Sequence, residues 1–392
     1  MLGVKRATVY AYASRGWLGA ATKGPGAQAL YPRAAVERLK LRARARSGHT
    51  AVAAGALRWG EPVLDTAISA ITPQGPEYRG TNALELASRG LSFEACAEWL
   101  WASSNHSPWP PASKLPSWVR LPPSGPGATL SRLLTMVSTV AMGDSDRFGA
   151  SPQAELNRAR ALIRLMAQRA GPFADRALAQ RGGIGATLGM SLRGSDLSDA
   201  ELSVMNMALV LSADHELNAS TFSARIATSA GCDLYAAVCA ALATLSGPRH
   251  GGACDRVEAM LGELETPAHA LEALRARNAR GEPLPGFEAM VYPGGDPRGP
   301  VLVAAATKVA RLRSRMAIIE ATMKAAAKVA GEAPSLDFGL IAVARALGFG
   351  PGSGGAMFAV GRMAGWVAHV QEQRLTAATI RPRARYAAKA RE

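Results

Sequence analysis

The sequence predicts a mainly α-helical protein that contains more than one domain. Its 392 residues are too many for one small hydrophobic core. Aromatic residues make up only 6% of the chain, whereas alanine and leucine abound, which favours closely packed helices over a β-sandwich. Apolar segments with helical spacing fill most of the chain, and glycine- and proline-rich breaks separate them.

Composition argues against a membrane protein and against a metal site. No apolar run reaches the ~18–20 residues that a bilayer crossing requires, and no signal peptide opens the chain. The four cysteines contain no Cys-x-x-Cys pair of the kind that binds zinc. We therefore expect a cytoplasmic protein with free thiols, no metal and no membrane attachment.

Positive charge is concentrated in the first 50 residues. They hold ten lysines and arginines against one acid, Glu37, so +9 of the net charge of +15 lies there. This asymmetry predicts a separate N-terminal module.

The N-terminal segment predicts part of a DNA-binding module. Residues 2–18 predict a turn and a short helix, and residues 33–46 predict a basic helix. The residues expected to contact DNA bases and phosphates are Lys5, Arg6, Thr8 and Tyr10. The segment resembles the winged helix-turn-helix of the MerR and excisionase type. The first helix of that motif would lie before Leu2, so a solvated basic arm is the alternative.

The first half of the remaining chain predicts one strand and then helices. Apolar and polar residues alternate over 63–71, which predicts a strand, and residues 93–101 have an amphipathic helical pattern. Seven prolines in residues 104–127 predict a long loop. From residue 128 to residue 245 the pattern is helical, and residues 221–245 predict one alanine-rich core helix.

The second half predicts helices around two further breaks. Residues 281–300 are rich in glycine and proline, and residues 301–330 then predict one long helix. A short break at residues 334–338 precedes another apolar helix. Residues 356–373 predict a helix that carries Arg362.

Residues with reactive or charged side chains lie at or near these breaks. His215 and His250 each interrupt apolar helical sequence, and Asp337 precedes an apolar helix. Singly, an Asp of this kind is usually an N-cap and such a His is usually structural. Together with Arg298 and Arg362 they indicate a pocket for a small di- or tricarboxylate, because the guanidinium fork matches a carboxylate.

Residues from about 62 to 386 resemble the citrate synthase family. The motifs that carry the resemblance are, in chain order, Tyr78-Arg79-Gly80, Asp214-His215-Glu216-Leu217-Asn218-Ala219-Ser220, Gly247-Pro248-Arg249-His250-Gly251-Gly252, Asp296-Pro297-Arg298, Leu336-Asp337-Phe338, Phe358-Ala359-Val360-Gly361-Arg362, Gly365-Trp366 and Arg381-Pro382. The resemblance implies a helical homodimer in which a small domain closes over a large one. The boundaries expected are an N-terminal module at 1–47, a linker at 48–61, a large domain at 62–249 and 343–392, and a small domain at 250–342.

The resemblance also implies a reaction, the condensation of acetyl-CoA with oxaloacetate to citrate and CoA. Asp337 would remove a methyl proton from acetyl-CoA, and His250 would stabilise the enol. The residues expected to bind oxaloacetate are His215, Arg298, Arg362 and Arg381, the last reaching across the dimer. No cofactor is implied, because acetyl-CoA or another acyl-CoA is a substrate. A base paired with a positioned donor is chemically sound, since the enolate must be stabilised as it forms.

One position departs from the family pattern. The loop before Asp296 usually reads Gly-Phe-Gly-His, and its histidine polarises the ketone of oxaloacetate. Here Ala289 stands in that place and Glu288 replaces a glycine. Losing one such donor typically costs ~10²–10³ in rate, so reduced or altered activity is expected. Two alternatives stay open: a 2-methylcitrate synthase that uses propionyl-CoA, and a DNA-binding regulator that senses oxaloacetate or an acyl-CoA.

Overall fold

The computed structural model consists of two compact units, Met1–Thr66 and Ala67–Glu392. The residues it describes are 9, 13, 22–23, 29–31, 64–103, 108–111, 113–122, 127–149, 151–264, 266–287, 291–292, 294–376 and 378–382. In the first unit, β1 (Thr22–Lys23) and β2 (Ala29–Leu30) form an antiparallel pair. The candidate DNA contacts Lys5, Arg6, Thr8 and Tyr10 lie outside the described residues, so the helix-turn-helix stays a prediction.

The described part of the second unit begins with a small antiparallel sheet in the order β3, β4, β5. Its strands are β3 (Ser69–Thr72), β4 (Gly75–Tyr78) and β5 (Thr81–Asn82). Two residues separate β4 from β5, and Arg79 and Gly80 have φ angles of 46° and 81°. Positive φ at both central residues is typical of the type I′ turn of a hairpin. The strand predicted over residues 63–71 is therefore shorter and later, because pairing with β4 begins at Ser69.

Helices make up most of the rest, as predicted. They are α1 (Ala83–Ser88), α2 (Phe93–Trp101), α3 (Thr129–Ala141), α4 (Pro152–Arg169), α5 (Ala174–Ala177), α6 (Ile184–Arg193), α7 (Asp199–Ser212), α8 (Ala219–Ser229), α9 (Leu234–Leu245), α10 (Ala253–Gly262), α11 (Ala270–Ala279), α12 (Arg298–Val309), α13 (Arg313–Ala330), α14 (Leu336–Leu347) and α15 (Ser353–Arg374). A 3₁₀ turn, Pro267–His269, precedes α11. No helix in the described ranges combines the length and the apolar character needed to cross a membrane.

Two of the predicted helices are confirmed, and each has a clear local cause. The predicted helix 93–101 is α2, whose start is capped by Ser92 through a 3.2 Å bond from the Ala95 amide. The predicted helix 356–373 lies within α15, which is buried along most of its length and forms the centre of the core.

The prediction of two long helices is wrong, because the structure has two helices in place of each. Residues 221–245 belong to α8 and α9; between them Gly231 has a φ of 85°, and the Asp233 side chain accepts a 2.8 Å bond from the Ala236 amide to start α9. Residues 301–330 belong to α12 and α13. Here the chain is extended at Ala310, and Arg311 pairs with Glu201 on α7 at 2.9 and 3.0 Å.

Glycines at two helix crossings bring the site together. A Cβ atom on Gly299 of α12 would lie 2.0 Å from the carbonyl oxygen of Pro334, just before α14. A Cβ atom on Gly365 of α15 would lie 2.1 Å from Oδ1 of Asp214. Only glycine permits either approach. The first crossing sets the N-termini of α12 and α14 side by side, and the second holds α15 against the segment that carries His215.

Candidate active site

Five of the six predicted catalytic and substrate-binding residues meet in one place. The charges of Arg298 and Arg362 and the ring of His250 all act on His215, and Arg298 also acts on Asp337. His215, His250 and Asp337 are half-buried: protein surrounds them on most sides, yet part of each side chain remains accessible. Arg381 is exposed, and no contact found among the described residues joins it to this group.

His215 is held after the end of α7 and paired with a tyrosine. Its Nε2 atom lies 2.7 Å from the Tyr292 hydroxyl oxygen. Burial, together with the charges of Arg298 and Arg362, lowers the pKa of His215 well below its ordinary value. The imidazole is therefore neutral near pH 7 and acts through hydrogen bonds.

The residue before His215 anchors this segment through a buried carboxylate. Oδ2 of Asp214 accepts hydrogen bonds from the Ser69 hydroxyl and from the Glu216 amide at 3.1 Å, and lies 3.4 Å from Nε2 of His369. Burial alone would raise the pKa of Asp214, but His369, Arg362 and Ser69 together hold it below its ordinary value. Asp214 is thus an ionised group that fixes the backbone of the His215 turn.

His250 lies between α9 and α10 and contacts the start of α8. Its Nε2 atom is 2.7 Å from the Ser220 hydroxyl, which also accepts a 3.2 Å bond from the Trp366 indole N–H. Burial, followed by the charge of Arg362, lowers the pKa of His250 to about 3. Like His215, it is neutral at physiological pH.

The Ser220 hydroxyl can donate to either of two acceptors. Its oxygen lies 2.8 Å from Oδ1 of Asn218, which also accepts the Thr221 amide at 3.2 Å as the cap of α8, and 2.7 Å from Nε2 of His250. When the hydroxyl donates to Asn218, the imidazole donates to Ser220 from Nε2. When the hydroxyl donates to His250 instead, the imidazole hydrogen sits on Nδ1, where it can be donated to a substrate oxygen.

Asp337 is placed to act as a base near neutral pH. It lies in the first turn of α14, and burial raises its pKa to about 6. The Cys254 thiol, with Sγ 3.3 Å from Oδ1, donates a hydrogen bond that opposes part of this rise. A carboxyl group with this pKa is mostly ionised at pH 7 and retains enough basicity for proton transfer.

The two buried arginines differ in their partners. Nε and Nη2 of Arg298 make a bidentate pair with Asp296 at 2.9 and 2.8 Å. Arg362 donates from Nε to the Ser212 carbonyl oxygen at 2.7 Å, and its guanidinium lies over the Phe358 ring. Its Nη1 atom is buried without a hydrogen-bond partner among the described residues. Arg362 therefore retains donor capacity for an anionic ligand.

Several residues that support this site were not predicted to act in it. Asp296, Ser220 and Asp214 fall within the quoted motifs, so their positions carried a signal. Cys254 and Tyr292 carried none, because their contacts with Asp337 and His215 depend on the folded chain. Glu288 and Ala289 lie outside the described residues, so the altered loop stays a prediction from the sequence.

Comparison with known proteins agrees with this arrangement. The model of the family described as citrate synthase, C-terminal domain, matches residues 56–383. The chain belongs to the citrate synthase family. A protein named citrate synthase 2 from Bacillus subtilis is 34% identical over 270 residues, which are 66% of this chain and 72% of that protein. A 2-methylcitrate synthase from Mycobacterium tuberculosis is 38% identical over 190 residues, or 48% of each chain.

Solved structures confirm the citrate synthase fold of the chain. The citrate synthase of Thermoplasma acidophilum, in a ternary complex with carboxymethyl coenzyme A and oxaloacetate, superposes with a TM-score of 0.74 at 23% identity. That match covers 86% of this chain and 97% of the other. The enzyme from Pyrobaculum aerophilum superposes with a TM-score of 0.65 at 25% identity, over 84% and 92% of the two chains.

Proposed function

We propose that the protein condenses acetyl-CoA with oxaloacetate and then hydrolyses the thioester, which gives citrate and CoA. The observation that supports this most strongly is Asp337, whose pKa is raised to about 6 in the same site as two neutral histidines and a buried arginine with a free donor. This set combines a base, neutral donors and a receptor for a carboxylate. Enolate chemistry on a keto-dicarboxylate requires these three functions.

The first step is removal of a methyl proton from the thioester by Asp337. The enolate that forms carries negative charge on its oxygen, so a donor must already be in place. We assign that donor to His250 in the tautomer that carries its hydrogen on Nδ1, with the Ser220 hydroxyl donating to Nε2. Its low pKa keeps the imidazole neutral, so His250 can donate a hydrogen bond without first taking up a proton.

Oxaloacetate would be held chiefly by its carboxylates. Arg362 offers Nη1 to one carboxylate, and Arg298 supplies positive charge nearby. Arg381, exposed on a single chain, would complete the site of a partner subunit in a homodimer. His215 lies beside both buried arginines and would contact the keto-acid.

A second candidate differs only in the acyl group. The relative from Mycobacterium tuberculosis that is 38% identical over 190 residues is named 2-methylcitrate synthase, so propionyl-CoA is the alternative acyl donor. The additional methyl group would lie next to Asp337. A hydrophobic pocket discriminates one methylene by only about 1–3 kcal/mol, so the two activities can coexist in one enzyme.

Thiol release tests the proposal and separates the two acyl donors. The full chain is incubated with oxaloacetate and either acetyl-CoA or propionyl-CoA, and the free thiol and the organic acid are measured. We expect thiol release only when both substrates are present, with citrate or 2-methylcitrate in equal amount. If Ala289 reduces the activity, the Ala289→His variant should release thiol faster than the wild-type protein. Absence of thiol with both acyl donors, while oxaloacetate still raises the melting temperature, would favour the sensing regulator.

A further inference from the structure

The site as described leaves the ketone oxygen of oxaloacetate without an assigned donor. A ketone carbon accepts a carbon nucleophile readily only when a preorganised donor stabilises the charge that develops on its oxygen. The charge of Arg298 is already paired with Asp296, and the free donor of Arg362 suits a carboxylate. The donor must therefore come from a neutral group that lies among these arginines.

Tyr292 is such a group. Its side chain is 3% exposed, and its hydroxyl oxygen lies 2.7 Å from Nε2 of His215. The Arg298 guanidinium lies over its ring, 5.8 Å from the ring centre, and the charge of Arg362 also acts on it. Burial raises the pKa of Tyr292 to about 12 despite these cations, so the phenol keeps its hydrogen at pH 7.

The pairing with His215 allows the phenol to point its hydrogen elsewhere. A neutral imidazole with its hydrogen on Nε2 donates to the phenol oxygen, and the phenolic hydrogen is then free to rotate toward a ligand. The pair also lies close to the arginines that would bind the substrate, since Arg298 covers the Tyr292 ring and the charges of Arg298 and Arg362 act on both residues.

We propose that the Tyr292 hydroxyl, oriented by His215, donates the hydrogen bond that polarises the ketone of the keto-dicarboxylate substrate. This inference rests on the proposed function, because it assumes that such a substrate occupies the site. It assigns Tyr292 as a catalytic residue. His215 is then a positioning residue, which orients that hydroxyl.

The proton balance of the bond-forming step is simple. The enolate carbon attacks the ketone carbon, and the electron pair of the C=O π bond moves to the ketone oxygen. That oxygen takes the phenolic proton and becomes the hydroxyl group of the product, because an alkoxide is a stronger base than a phenolate. The phenolate is stabilised by nearby Arg298 and Arg362. It later regains a proton from water, and Asp337 returns to water the methyl proton that it removed.

Tyr292→Phe tests the assignment by a readout that does not need turnover. Oxaloacetate labelled with ¹³C at the ketone is bound to the protein, and isotope-edited infrared spectra give the ketone stretching frequency. We expect a lower frequency in the wild-type protein than in water, and loss of most of that shift in Tyr292→Phe. In turnover, kcat should fall by ~10²–10³-fold with KM for oxaloacetate changed by less than about threefold.

Two further variants control for structural effects. Tyr235→Phe removes a hydroxyl that bonds Asp144 at 2.9 Å, away from the site, and should leave the frequency unchanged. 3-Fluorotyrosine at position 292 preserves the shape of the residue, so it keeps the test valid if Tyr292→Phe does not fold. Its more acidic phenol should lower the ketone frequency further.

The outcomes separate this inference from the proposed function. A shift that persists in Tyr292→Phe, or is unchanged by fluorination, overturns the assignment of Tyr292 even if condensation is observed. A shift that is present in the wild-type protein and lost in Tyr292→Phe supports the assignment even if no thiol is released, and then the proposed condensation fails alone. Failure of the wild-type protein to bind oxaloacetate overturns both.

Discussion

The N-terminus of α12 and the middle of α15 each bury an arginine, but only the arginine of α12 has a carboxylate partner among the described residues. Arg298 is neutralised by a carboxylate two residues away, and the same Asp296 side chain also accepts the Leu336 amide at 3.1 Å. Burial would lower the pKa of Arg298, but Asp296 reverses this and raises it. Arg362 has no carboxylate within ion-pair distance in the part of the chain described. Burial therefore lowers its pKa to about 10.

The difference separates a guanidinium that is already paired within the fold from one that keeps a donor open for a ligand. The Arg298–Asp296 pair ties α12 to the start of α14, and so it holds Asp337 in place. Arg362 retains an unpaired donor in the interior, which is costly unless an anion arrives to accept it. A buried arginine of this second kind is the stronger indicator of a binding site.

The largest effect that follows from this contrast is on stability. Arg298→Met leaves Asp296 buried without its partner, so the free energy of unfolding should fall by about 3–5 kcal/mol. Arg362→Met removes a charge that has no ion-pair partner, and should change the free energy of unfolding by no more than about 1 kcal/mol. Urea denaturation followed by circular dichroism measures both. Equal losses in the two variants would contradict the contrast.

Substrate affinity should depend strongly on Arg362, the position whose loss has little effect on stability. Arg362→Met removes a charge-assisted hydrogen bond to a carboxylate, worth about 1.5–3 kcal/mol, so Kd for oxaloacetate should rise by about 10- to 150-fold. Calorimetric titration measures this, and Arg225→Met is the matched control. Arg225 is also buried, but its Nε and Nη1 atoms donate to Gln373 and Glu372. An unchanged Kd in Arg362→Met would remove this arginine from the site.

A smaller effect is expected from Ser220, whose hydroxyl lies within hydrogen-bond distance of Nε2 of His250. Ser220→Ala removes one hydrogen bond to Nε2, worth about 0.5–1.5 kcal/mol, so kcat should fall by about 3- to 10-fold. Ser220→Thr retains the hydroxyl and should recover most of the rate if it is accommodated. Ser223→Ala, one turn along α8 at a half-buried position, is the control. If Ser220→Ala has full activity, the hydrogen bond between Ser220 and His250 does not contribute to turnover.

The smallest effect is a shift in the pH profile. Asp337 acts as a base in its ionised form, so activity should fall as pH drops through its pKa of about 6. The Cys254 thiol stabilises the carboxylate. Cys254→Ala should therefore move the acidic limb of kcat/KM upward, by about half a pH unit, which corresponds to less than 1 kcal/mol. Cys254→Ser should move it less, and Cys239→Ala, at a half-buried site on α9, not at all. A downward shift in Cys254→Ala would contradict the direction of this interaction.

The sequence predicts the helical fold well, because apolar periodicity and the breaks between helices are local signals. His215, His250 and Asp337 each stand at a helix end, where apolar periodicity stops and polar or glycine residues begin. The break before α9 also had a local signal, Gly231 and Asp233, but the apolar pattern on both sides of it led to the prediction of one helix. Such features depend only on residues that are close in the sequence.

The rest depends on contacts between distant segments. The break between α12 and α13 has no glycine or proline, and Arg311 reaches a glutamate 110 positions earlier in the chain. The distinction between Arg298 and Arg362 likewise cannot be predicted from the sequence alone, because the nearness of Asp296 in the chain does not show that its side chain pairs with Arg298. Their different roles appear only when burial and partners are known.

The most direct test of the account is the effect of Asp337→Asn on binding and on chemistry in the same preparation. Asparagine has nearly the same shape but cannot remove a proton. We expect oxaloacetate to bind with a Kd within about threefold of wild type, while thiol release from acetyl-CoA falls by ~10²–10⁴-fold. Retention of more than a tenth of the wild-type rate would contradict the assignment of Asp337 as the base, and with it the mechanism proposed for this site.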